Sequence, residues 1–108
     1  MAEREVIESI QRYIRAVEGA GIAVSFVVLF GSQVLGRTHR WSDIDLVVVS
    51  PHFDGPELRK DTPTLWYMAA RIDSRIEPIA CGLRQWSEDT SSAIIEIARR
   101  EGQRIQAA

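Results

Sequence analysis

The sequence is short of the features that mark several large protein classes. It has one cysteine, Cys81. No internal disulfide can form, which excludes a disulfide-stapled secreted scaffold and suits a reducing compartment. The stretch from Met1 to Glu8 is charged and lacks the basic-then-apolar order of a secretion signal. The most apolar run, Ile22 to Phe30, is far too short to span a bilayer. Nor is there an excess of positive charge. Thirteen Lys and Arg stand against fifteen Asp and Glu, a formal net charge of -2. That balance argues against a broad nucleic-acid surface, though not against a local arginine cluster around a phosphate. No internal repeat or low-complexity tract is visible. These absences together lead us to expect a soluble cytoplasmic protein with no membrane or nucleic-acid partner.

What is present fits one small globular unit. The chain has 108 residues, 45% hydrophobic and 26% charged, so a single domain over residues 1–108 is expected. A core of that size is modest, and contact with a partner, as a homo- or hetero-oligomer, would add to its stability. Val6, Ile10, Ile14 and Val17, with Tyr13 beside them, form one helical stripe that Gly19 and Gly21 end. Ser25–Phe30 and Ile44–Val49 read as strands, with a polar loop between them, and Ser50-Pro51 closes the second. Thr62-Pro63 resembles a helix start, with Leu65, Met68, Ala69 and Ile72 as its buried stripe. Arg75–Cys81 reads as a third strand, and Pro78 in it suggests an edge position or a bulge. A last helix is expected from Ser87 or Asp89, with Ile94, Ile97, Ala98 and Ile105 as its apolar face. Its start is acidic and its end, at Arg99, Arg100 and Arg104, is basic, in the order that suits the helix dipole. Helices alternating with about three strands predict a small sheet packed against helices, in the α+β class.

The chemistry concentrates between Gly31 and Asp45. Gly31-Ser32 closes the first strand, ten residues intervene, and Asp43-Ile44-Asp45-Leu46 opens the second. Residues two apart in a strand point the same way. Asp43 and Asp45 should therefore project together, while Ile44, Leu46 and Val48 face the core. Two adjacent carboxylates repel unless positive charge lies between them. Oxygen-only ligation suits Mg²⁺, which keeps waters and takes further oxygens from phosphates. The Gly31-Ser32 turn supplies the complementary half, because glycine admits a phosphate close to the backbone and amide N–H groups with the Ser32 hydroxyl can bind its oxygens. Glu77, flanked by Ile76 and Ile79, is the candidate third carboxylate of a two-metal site. Asp73 is the weaker candidate, at the end of the preceding helix.

The pattern Gly31-Ser32-x10-Asp43-x-Asp45 resembles the signature of the polymerase-β-like nucleotidyltransferase superfamily. The short chain and the Arg75-Ile76-Glu77-Pro78 strand resemble its minimal, antitoxin-type branch. That resemblance implies a polymerase-β-like α/β sandwich with a small mixed sheet. It implies Mg²⁺-dependent transfer of AMP from ATP, with Ser32 on the triphosphate and Asp43 and Asp45 on the metal. Glu77 matches the third acid, where many members carry Asp. The resemblance further implies a helical HEPN-type toxin as partner, with a toxin tyrosine as the AMP acceptor.

Two other functions are consistent with the residues. One is a non-catalytic subunit that neutralises a toxin by surface contact. The other is a transferase acting on a small hydroxylated molecule of the aminoglycoside kind. Among supporting residues, Arg37 follows Gly36 and is a candidate phosphate contact. Arg40 and His39 read as loop residues. Trp66 is expected in the core, and Trp41, beside the acids, either stacks on a ligand or packs under its loop.

Overall fold

The computed structural model describes residues 3–31, 33, 42–55 and 58–106, without the side chains of residues 58–60. Helix α1 spans Arg4–Gly19, and its stripe of Val6, Ile10, Tyr13, Ile14 and Val17 is buried. Strand β1 (Phe26–Phe30) runs antiparallel to β2 (Ile44–Ser50), with Phe26 opposite Val49 and Phe30 opposite Asp45. A 3-10 turn at Pro51–Asp54 follows, capped by the Ser50 hydroxyl, which accepts from the His52 N–H at 3.1 Å. Helix α2 (Leu58–Ile72) then carries the chain back, so that β3 (Ile76–Gly82) pairs parallel with β2. Such a return needs a crossover of this length, because a parallel neighbour cannot be reached by a tight turn.

The second half departs from expectation. A short helix α3 (Leu83–Glu88) precedes α4 (Ala93–Glu101), and a fourth strand, β4 (Gln103–Ile105), pairs antiparallel with β1. The mixed sheet of the described residues has the order β3-β2-β1-β4. One continuous last helix from Ser87 or Asp89 through Ile105 is therefore incorrect. Ser92 is the actual N-cap, its hydroxyl accepting from the Ile95 N–H at 3.3 Å. Gly102 ends α4, and any side chain there would collide with the Ala98 carbonyl and with Val28. Beyond it, pairing with the otherwise open edge of β1 outweighs one more helical turn. Arg104 thus leaves the helix end and lies over the Phe26 ring, 3.8 Å from its centroid. Thr62-Pro63 also falls inside α2 rather than at its start. The proline costs that turn a backbone hydrogen bond without ending the helix.

The sheet is covered on both faces, which is why β2 reads as an unbroken apolar run. Ile44, Leu46 and Val48, with Val27 and Leu29, face α1 and α2, where Leu65 and Ala69 are buried and Met68 and Ile72 pack beside them. Phe26, Val28, Val47, Val49 and Cys81 face Ile95 and Ala98 of α4, with Trp86 alongside. The Tyr13 hydroxyl donates to the Leu65 carbonyl at 2.9 Å and ties α1 to α2. Burial pushes its phenol above the ordinary value. Pro78 lies in β3, at the sheet edge, where a missing N–H is tolerated. Two apolar expectations fail. Trp66 is 49% exposed, and Ile94 and Ile97 are 46% and 39% exposed, because only Ile95 and Ala98 of α4 turn toward the sheet. Among the described residues, no helix is long and apolar enough to cross a membrane.

Candidate active site

Three carboxylates gather at one end of the sheet. Asp45 lies in β2, directly across from Phe30 on one side and from Glu77 on the other. Opposed strand residues share a face, so Asp45 and Glu77 stand side by side. Asp43 precedes β2 and is exposed, as is Glu77, whereas Asp45 is half-buried. Burial pushes the Asp45 carboxyl above its ordinary value. Its contact with Glu77 offsets part of that rise, and the charge of Asp43 adds to it. Glu77 is raised as well, by desolvation first and then by the charges of Asp43 and Asp45 and the contact with Asp45. Like-charge repulsion among the three acids therefore adds to burial in raising Asp45 and Glu77.

The turn after β1 is built against this cluster. Gly31 has φ +80, a left-handed conformation that side chains disfavour. A Cβ at Gly31 would also lie 2.7 Å from the Asp45 Oδ2. Glycine is thus required twice, by the backbone and by the carboxylate that approaches it. The close neighbour of Gly31 in this structure is the acid itself, which brings the turn and the acids into direct contact.

Of the residues proposed for the site, the structure brings together Gly31, Asp43, Asp45 and Glu77. Ser32, Arg37, His39, Arg40 and Trp41 lie outside the described residues. Asp73 belongs elsewhere. Its carboxylate accepts from the Arg75 Nη2 at 2.7 Å, from its Nε at 3.0 Å and from its backbone N–H at 3.1 Å. Arg75 also donates to Glu5 at 2.8 Å, so Asp73 ties the α2–β3 turn to α1. The Arg75 contacts hold the Asp73 carboxyl below its ordinary value. The other notable ionisable groups are remote from the acids. His52 pairs with Asp61 beyond the far end of β2. Cys81 is buried in the second core, and burial pushes its thiol up to about 11, which leaves it unreactive.

One residue escaped the sequence reading. Gln33 is 4% exposed, and its amide donates to the carbonyls of Ser42 and Asp43, each at 3.3 Å. Nothing in its type or spacing marks it. Only its position directly after Gly31-Ser32 offered a hint.

Among the described residues, no group of three or more acidic, histidine or cysteine side chains is arranged to hold a metal ion. The donor set nonetheless fits a hard cation, because it consists of oxygen ligands whose repulsion a cation would relieve and whose remaining coordination waters and phosphate oxygens can fill. Asp43 and Asp45, with Glu77, are the residues that would hold it.

A Sulfolobus solfataricus structure provisionally assigned as a nucleotidyltransferase superposes with a TM-score of 0.62 at 16% identity, over 93% of this chain and 78% of the other. The structure of a toxin–antitoxin with AMP-PNP gives a TM-score of 0.58 at 23% identity, over 91% of this chain and 73% of that one. At these identities the likeness is one of fold. No curated protein matches the chain significantly. Residues 7–101, which contain the glycine turn and all three acids, match the nucleotidyltransferase domain family, and the chain belongs to that family.

Proposed function

We propose that this protein is a Mg²⁺-dependent nucleotidyltransferase of the minimal, antitoxin type, which transfers AMP from ATP to a hydroxyl of a partner protein. The observation that carries this reading is the Asp45 carboxylate set against Gly31, beside Asp43 and Glu77, within a nucleotidyltransferase domain. The toxin–antitoxin structure with AMP-PNP supports both a nucleotide ligand and a toxin partner. A tyrosine of an HEPN-type toxin is the proposed acceptor, and a cytoplasmic single domain is the proposed setting.

Each residue has a defined task in this mechanism. Backbone amides of the Gly31–Ser32 turn, with the Ser32 hydroxyl and Arg37, hold the triphosphate. Asp43, Asp45 and Glu77 would hold the metal, which when bound would neutralise phosphate charge and lower the pKa of the acceptor hydroxyl. The acceptor oxygen bonds to the α-phosphorus, the bond from that phosphorus to the oxygen bridging toward the β-phosphate breaks, and pyrophosphate leaves with the electron pair. The hydroxyl proton passes to solvent. Positioning and charge stabilisation carry the rate in such transfers.

Incubation with labelled ATP, Mg²⁺ and the product of the neighbouring gene should label that partner. Labelling that persists in an Asp43→Asn/Asp45→Asn double variant would sink the assignment. A second reading, neutralisation of a toxin by surface contact alone, is favoured by the exposure of Glu77. It wins if the double variant still neutralises the toxin as well as the wild type does.

A further inference from the structure

The segment between Ser32 and Asp43 must return to the sheet for the turn and the acids to meet. Gln33 stands at its outgoing end, and its side-chain amide is buried. The Nε2 group has two hydrogens, and it faces two carbonyls, those of Ser42 and Asp43, nine and ten residues ahead in the chain. The Asp43 carbonyl belongs to the peptide that joins Asp43 to Ile44. The N–H of that same peptide donates to the Arg75 carbonyl at 2.8 Å. Both polar ends of one peptide unit are therefore held, one by Gln33 and the other by the residue just before β3. This unit lies between Asp43 and Asp45, so its orientation sets where the Asp43 carboxylate points relative to its neighbours. Rotation of the unit would swing Asp43 away while β2 kept Asp45 in place.

We infer that Gln33 is a positioning residue, whose side-chain amide clamps the Asp43–Ile44 peptide so that the Asp43 carboxylate joins Asp45 and Glu77 in binding a divalent cation. This inference rests on the metal-binding reading above. Gln33 touches neither metal nor substrate. It acts through the backbone of a ligand, as outer contacts of metal sites commonly do.

The test is direct binding of Mn²⁺, read by electron paramagnetic resonance of the free ion in the presence of AMP-PNP. It compares wild type, Asp45→Asn, Gln33→Met and Gln33→Glu. Circular dichroism reports the folded fraction of each, and affinities are compared per folded molecule. Gln33→Met keeps the length and removes the donors, and Mn²⁺ affinity should fall about tenfold. Gln33→Glu keeps the shape and sets an acceptor against two carbonyl oxygens. Its added negative charge alone would tighten Mn²⁺, so weaker binding by this variant reports lost positioning rather than lost packing or charge. It also carries the test if the methionine variant fails to fold. Gln33 variants that bind Mn²⁺ as tightly as wild type, while Asp45→Asn does not, overturn the inference alone. Wild type that binds no better than Asp45→Asn overturns it together with the metal-binding reading.

Discussion

Two acidic groups in this molecule resemble one another in sequence and behave in opposite ways. Asp73 is two residues from an arginine and is paired with it, through side chain and backbone, with its carboxyl lowered. Asp45 is two residues from another aspartate and stands beside a glutamate, with its carboxyl raised. One group stabilises the fold through its own charge. The other is raised by burial and by the charge of Asp43, with no cation beside it among the described residues, as the proposed metal-binding role would require. The contrast separates a carboxylate that its neighbours neutralise from one that they do not.

The largest effect that would sharpen the contrast is on transfer. Asp45→Asn should lower AMP transfer by at least about a hundredfold, the scale of losing a major transition-state charge stabiliser. Its thermal stability at neutral pH should be unchanged or higher, since repulsion is relieved. Asp73→Asn should retain transfer, and a comparable loss there would break the distinction. Next comes ligand-linked stability. Mg²⁺ at about a hundred times its dissociation constant should stabilise the wild type by roughly 2.7 kcal/mol in urea denaturation. The Asp73→Asn variant should show the same gain and Asp45→Asn little or none.

Gly31→Ala should cost about 1–2 kcal/mol for the left-handed backbone, measured by chemical denaturation. It should also depress transfer, because the new methyl displaces the Asp45 carboxylate. An alanine variant with normal activity would show that the approach of Asp45 to the turn is dispensable.

The smallest expected effect lies in acid stability. Asp73 has a lowered carboxyl in the fold, so its contribution is present above the unfolded value near 4 and is lost as pH falls through the lower folded value. Asp73→Asn should therefore flatten the acid limb of the stability curve and remove about 1 kcal/mol at neutral pH. Asp45 has the opposite sign. Its ionisation opposes folding, so stability rises as pH falls through its raised folded value, and Asp45→Asn should abolish that gain.

Much of this was legible in the chain. The stripe of α1 follows from helical periodicity, β1 and β2 from their runs of β-branched and aromatic residues, and Pro78 points to an edge or a bulge, of which the structure shows the edge. Gly31, Asp43 and Asp45 were legible because a turn and a same-face acid pair have local signatures. The division of the C-terminal segment was not. Ile94, Ile97 and Ile105 fit a helical pattern, yet strand β4 forms because β1 offers an unpaired edge, which is information held by a distant part of the chain. Trp66 is hydrophobic and exposed for a similar reason, since the face of α2 that meets the core is chosen by Leu65 and Ala69.

The sequence by itself determined that two carboxylates stand two residues apart at the start of β2 and that a glycine turn precedes them, because alternation and turn chemistry act over a few residues. Only the tertiary structure decided that Glu77 rather than Asp73 stands beside Asp45, and that Gln33 holds the Asp43 peptide. It alone decided, too, that Gly31 must remain bare to admit the Asp45 carboxylate. Those facts depend on strand register and on where a crossover returns, and both are set by burial of the two faces of the sheet, a property of the whole chain.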